Sequence, residues 1–129
     1  MQKKFLLWGF ILGTIAVIIG ALGAHALKPH LTINQQNSFE TGIRYQMYHA
    51  LLFLLIANFE KLQSKTILYL LSTGTIFFSL SIYLLNLKSL LGMEFLSFLG
   101  PITPIGGLLL ISSWIILIIK ALKIKNTPQ

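Results

Sequence analysis

The run FLLWGFILGTIAVIIGALGAHAL, Phe5–Leu27, decides the class of this protein. At 1.5 Å per residue a helix of that length covers the ~30 Å of hydrocarbon in a bilayer. Three more apolar runs follow it, roughly Thr41–Phe59, Thr66–Leu87 and Pro101–Ile119. The pattern predicts an all-α bundle of four transmembrane helices at about 5–27, 38–60, 66–87 and 101–122, forming one integral membrane domain over residues 1–129.

Composition agrees with the runs. Of 129 residues 55% are hydrophobic and 10% are charged, with a mean hydropathy of +0.80. A soluble domain carries about a quarter charged residues, so this chain lacks the polar surface for one. The stretches between runs, Lys28–Glu40 and Lys88–Gly100, are too short to fold separately, and any chemistry must come from the helices and these loops. Cysteine is absent, which excludes disulfides, thiolate nucleophiles and thiolate-ligated metals. The net charge of +7 does not point to nucleic acid, because Lys3, Lys4, Lys61, Lys65, Lys120, Lys123 and Lys125 flank the apolar runs as topology determinants do. With those lysines inside and only Lys28, Arg44 and Lys88 outside, the expected orientation is N-in/C-in.

Lys3 and Lys4 followed by Ala24-His25-Ala26 resemble a signal peptide, but the apolar stretch exceeds the usual ~7–15-residue core of one, so a retained helix is expected. Within it Gly9 and Gly13, then Ala16, Gly20 and Ala24, recur at spacing four. Such small faces let helices approach closely, either inside the bundle or between copies in a homo-oligomer.

The second run is apolar without interruption only over Ala50–Phe59, so its helix must recruit Glu40–His49 to cross. Asn37 is the expected N-cap, three residues before Glu40. Arg44 then lies roughly 6 Å and His49 roughly 13 Å below Glu40. The serines of helix 3 are expected to bond back to a carbonyl or across to a neighbour. In Gly100–Gly107, Thr103 reads as an N-cap and Pro104 as the first helical residue, with Gly106 and Gly107 permitting close contact. Trp114 reads as a packing residue.

Gly23-Ala24-His25-Ala26-Leu27-Lys28, Arg44-Tyr45-Gln46-Met47-Tyr48-His49-Ala50, Phe78-Ser79-Leu80-Ser81-Ile82-Tyr83-Leu84 and Thr103-Pro104-Ile105-Gly106-Gly107 together resemble domain-of-unknown-function family 423, which is related to eukaryotic transmembrane protein 256. The resemblance covers nearly the full chain. It implies a small multi-pass protein of the bacterial inner membrane with four helices, and it supplies no catalytic residues. Leu80 and Ser113 stand where relatives often have glycine, which bears on close packing of helices 3 and 4.

An arginine at the centre of a span costs about 2.5–3.5 kcal/mol on insertion scales, so Arg44 requires compensation. On a helix Glu40, Arg44 and Tyr48 stack at spacing four, with Tyr45 and His49 on the adjacent strip. His25, Tyr83 and Asn86 are expected at comparable depth on neighbouring helices, with Lys28 at the rim. These residues suit a lipid headgroup or small anion, with Glu40 as the partner of Arg44. The same groups also suit simple interhelical pairing, and an oligomeric channel or carrier is the competing functional class. No enzyme motif, metal site or cofactor is expected. His25 and His49 differ too much in depth to share haem, and no carboxylate lies in mid-span. The expected partners are membrane lipids.

Overall fold

The computed structural model describes residues 1–124; Lys125, one of the flanking lysines, lies outside the described residues. Four helices run through it: α1 (Gln2–Ala24), α2 (Ile33–Ala57), α3 (Lys65–Leu87) and α4 (Ile102–Leu122). Short 3-10 turns at Lys28–His30, Glu60–Leu62 and Glu94–Leu99 precede α2, α3 and α4. The described residues contain no strand. The all-α membrane bundle expected from the apolar runs is the fold observed.

The largest difference lies at the start of α2. The helix begins at Ile33, five residues earlier than expected, because Thr32 and not Asn37 is the cap. The Thr32 hydroxyl accepts from the Gln35 N–H at 3.2 Å, and the Gln35 side chain accepts from the Thr32 N–H at 2.9 Å. This reciprocal capping box satisfies two otherwise orphaned donors. The 25-residue helix is therefore about 37 Å long, longer than the ~30 Å of hydrocarbon in a bilayer. By length and apolarity together, α1, α3 and the segment Glu94–Leu122 qualify as spans, whereas α2 is long enough but too polar in its first half.

At its other end the bundle is closed by ordinary apolar packing. Phe5, Phe53, Ile56, Ile67 and Leu71 are fully buried where α1 and α3 begin and α2 ends. Phe53 lies between Phe5 and Trp8, with ring centroids 5.9 Å and 6.1 Å away. The helices pack in series, α1 along α2, α2 against α3, and α3 along α4. The outer surfaces of α1 and α4 are rows of exposed Leu, Ile, Val and Phe, including Phe10, Val17, Leu108 and Ile118, as a lipid solvent requires.

α3 is not uniform. Ile76–Leu80 form a π-helical turn between two α-helical stretches. It lies where α4 crosses closest: a Cβ added to Gly106 would sit 2.4 Å from the Phe78 nitrogen, so only glycine lets the two backbones meet. The Ser81 hydroxyl bonds the Phe77 and Phe78 carbonyls of this turn and contacts the Thr103 hydroxyl at 2.6 Å. Thr103 is thus a cross-helix partner; α4 begins at Ile102 with Pro101 in the cap position, so Pro104 falls inside the first turn.

Candidate functional site

The inward face of α2 is set by Phe39, Gly42, Gln46, His49, Phe53 and Ile56, all buried and spaced alternately three and four apart. That spacing keeps one stripe of a helix against its neighbours. The strip Glu40, Arg44 and Tyr48 lies off it and faces outward. Arg44 donates to Glu40 at 2.9 Å, the expected intrahelical pair, but the two side chains are 61% and 58% exposed. Shielding of the guanidinium by neighbouring helices is therefore absent. Tyr45 and Tyr48 are also outward, with their rings 6.0 Å apart.

The other expected residues separate from this group. His25 is exposed at the end of α1, where its N–H caps the helix on the Ala21 carbonyl. Tyr83 is buried and donates to the Gln46 side-chain oxygen at 2.8 Å. Asn86 donates to Ser38 at 2.9 Å and back to the Ile82 carbonyl at 2.8 Å. His49 is buried, and its Nδ1 lies 2.6 Å from the Tyr45 carbonyl. Its Nε2 receives the Trp114 indole N–H at 3.2 Å. A carbonyl only accepts and an indole N–H only donates, so the imidazole proton sits on Nδ1. Trp114 itself is 47% exposed, with its ring at the lipid side and its N–H turned inward, which corrects the expectation of a packed residue.

One polar residue outside the expected site proves central, and a serine of α3 makes the bond to a neighbour expected of it. Gln46 donates to the Leu12 carbonyl of α1 at 2.8 Å while accepting from Tyr83 of α3. Ser79 donates to the Gly42 carbonyl at 2.8 Å. Gly42 makes room for this contact, since a Cβ there would lie 2.8 Å from the Tyr83 ring. One amide thus ties α1, α2 and α3 together in the polar half of the bundle. The signal was present: Gln46 falls on the same alternating stripe as Phe39 and Phe53.

On the outward side a small cleft of about 150 Å³ lies between α1 and α2. Lys28, Gln36, Phe39 and Glu40 line it, together with Gly20 and Gly23. The Gln36 amide holds the Lys28 and Leu31 carbonyls at 2.9 and 3.0 Å, which fixes the loop that carries Lys28. Lys28 and Glu40 share the cleft, and Arg44 pairs with that same glutamate from outside. The small residues of α1 are used within the chain: built Cβ atoms on Gly9, Gly13, Gly20 and Gly23 all meet α2. These glycines therefore give the close approach inside the bundle expected of them, while Ala24 at the end of the same face is exposed. Among the described residues no group of three or more His, Cys, Asp or Glu side chains is placed to hold a metal ion.

Comparison with known proteins places these features in a family. The chain is 36% identical over 127 residues to the UPF0382 membrane protein YwdK of Bacillus subtilis, covering 95% of this chain and 98% of that protein. It is 37% identical over 125 residues to the UPF0382 membrane protein SH2409 of Staphylococcus haemolyticus, and 38% identical over 125 residues to the UPF0382 membrane protein SAB0533 of Staphylococcus aureus, each again covering 95% of this chain and 98% of the relative. No solved structure matches. The family model described as protein of unknown function (DUF423) matches residues 19–107, which contain the capped start of α2, the Gln46 junction, the π turn and Gly106; the chain is a membrane protein that belongs to the DUF423 family.

Proposed function

We propose that this chain is a non-enzymatic, multi-pass protein of the bacterial inner membrane, with both termini cytoplasmic, that holds an anionic lipid headgroup at the outer end of α1 and α2. The observation that carries the reading is that Lys28 and Glu40 line one cleft and Arg44 pairs with that same glutamate at 2.9 Å. One cation pairs with the carboxylate and a second lines the same cleft, so the grouping retains net positive charge after the internal pair forms. Among the described residues only Glu40 accepts from the Arg44 guanidinium, and its remaining donors suit the geometry of a phosphate. Tyr48, exposed beside Arg44, supplies an amphipathic ring of the kind that sits at headgroup level. The orientation draws support from the opposite end, where Lys120 Nζ reaches the Lys61 and Gln63 carbonyls at 3.4 Å each and so joins the lysine-rich turn to the end of α4.

Native mass spectrometry of protein extracted in mild detergent tests the reading. An anionic phospholipid is expected to stay with the wild type and to be lost from Arg44→Ala and Lys28→Ala, while Arg44→Lys keeps part of it. Equal retention by all four proteins would overturn the assignment.

A further inference from the structure

On the side of α2 away from that cleft lies a second opening, of about 300 Å³, between α2 and α4. Its volume is at the lower end of those that take small organic ligands, about 300–1,000 Å³. Tyr45 and His49 form one wall, Trp114 and Ile111 the other, and Phe78 of the π turn lies at the base. The rings run on continuously. Phe78 and Tyr45 have centroids 4.9 Å apart, Tyr45 and His49 are stacked at 6.3 Å with planes at 26°, and Trp114 meets His49 edge-on at 6.3 Å. Ile111 and Trp114 are 56% and 47% exposed on the apolar flank of the bundle, so the mouth opens toward lipid.

We propose that this opening binds a lipid-dissolved flat ring bearing a hydrogen-bond-accepting oxygen, a molecule of the quinone class. Two features separate such an occupant from an ordinary acyl chain. A row of aromatic faces favours a flat partner, since rings gain from offset or edge contacts that a flexible chain does not make. Tyr45, 43% exposed and lining the opening, carries a hydroxyl that can donate to an oxygen. The two ring nitrogens of His49 are spent on orienting the walls, one on the Tyr45 carbonyl and one on the Trp114 indole, so the imidazole acts by position and leaves the hydrogen bond to Tyr45.

Gly107 keeps the opening clear. A Cβ there would meet only the Phe78 ring, at 3.8 and 3.9 Å, so the backbone tolerates a side chain and a large one extends into the space. This separates Gly107 from Gly106, whose Cβ would strike the backbone of α3. The inference stands apart from the headgroup reading, because none of Lys28, Glu40 and Arg44 lines this opening.

The chain has two tryptophans, Trp8 and Trp114, so a Trp8→Phe background isolates the indole at the mouth. In nanodiscs of that protein, 2-methyl-1,4-naphthoquinone is expected to quench Trp114 fluorescence saturably, and 2-methylnaphthalene, which lacks the oxygens, is expected not to compete. Gly107→Leu should leave only the linear quenching that partitioning produces, and Tyr45→Phe should weaken the saturable phase about tenfold. Ile111→Phe, at a lipid-facing position, narrows the mouth without entering the core and serves if Gly107→Leu does not fold. Linear quenching of the same slope in the Trp8→Phe protein and the narrowed variants, or equal competition by 2-methylnaphthalene, would overturn the proposal. Arg44→Ala should leave the saturable phase unchanged, so failure here and failure of the headgroup reading are read separately.

Discussion

The two halves of α2 are buried by different means. From Ala50 to Ala57 the inward side is Ala50, Leu52, Phe53, Ile56 and Ala57, held by fit against Phe5, Ile67 and Leu71. From Phe39 to His49 it is Gly42, Gln46 and His49, held by directed bonds to the Leu12 carbonyl, Tyr83, Ser79 and Trp114. Lipid tails are as apolar as leucine, so in a membrane an apolar face gains packing by association but little hydrophobic drive. Shape alone leaves such a helix able to rotate or slide toward other apolar surfaces. The polar half gives α2 its rotation and depth, and the apolar half gives it close contact.

Four substitutions put that contrast to the test, measured as unfolding free energies in mixed micelles. Phe53→Ala is expected to have the largest effect, about 3 kcal/mol, because it opens a cavity among Phe5, Trp8 and Ile56. A loss near zero would mean that the apolar half does not anchor the bundle. Gln46→Leu should cost about 1–2 kcal/mol by stranding the Tyr83 hydroxyl. Tyr83→Phe in the same background should recover part of that loss, with a coupling of about 0.6 kcal/mol and at most about 1.7 kcal/mol, the average and maximum measured for hydrogen bonds between membrane helices. Strict additivity of the pair would remove Gln46 as the junction. The smallest effect belongs to Arg44→Ala, within about 0.5 kcal/mol, because its pair with Glu40 is open to the surroundings. A large loss there would mean that the outward strip is structural, against the role proposed for it.

The apolar runs were enough to read the class and the number of helices, since length and hydropathy act locally. The start of α2 was also written in the chain as Thr32-x-x-Gln35, but Asn37 followed by Glu40 offers a cap of the same type, and local chemistry does not choose between them. The structure does: with the cap at Thr32, Ser38 lies a turn and a half inside the helix, where it accepts from Asn86 of α3. For the site, attention to charge favoured Glu40 and Arg44, whereas burial follows the stripe through Gly42, Gln46 and His49. Charged groups draw notice through their cost in lipid, yet a pair that compensates itself along one helix need not face inward. The π turn had no local signal: Ile76–Leu80 reads as ordinary helix, and the widened turn lies where the backbone of α4 reaches it at Gly106.

By itself the sequence determined that this chain lives in lipid as a helical bundle, because some twenty consecutive apolar residues can satisfy their backbone there only as a helix. Tertiary structure alone decided which polar groups became internal. A buried amide or imidazole is stable only where another helix brings its partner within about 3 Å, and those partners lie 34, 37 and 65 residues away along the chain, at Leu12, Tyr83 and Trp114.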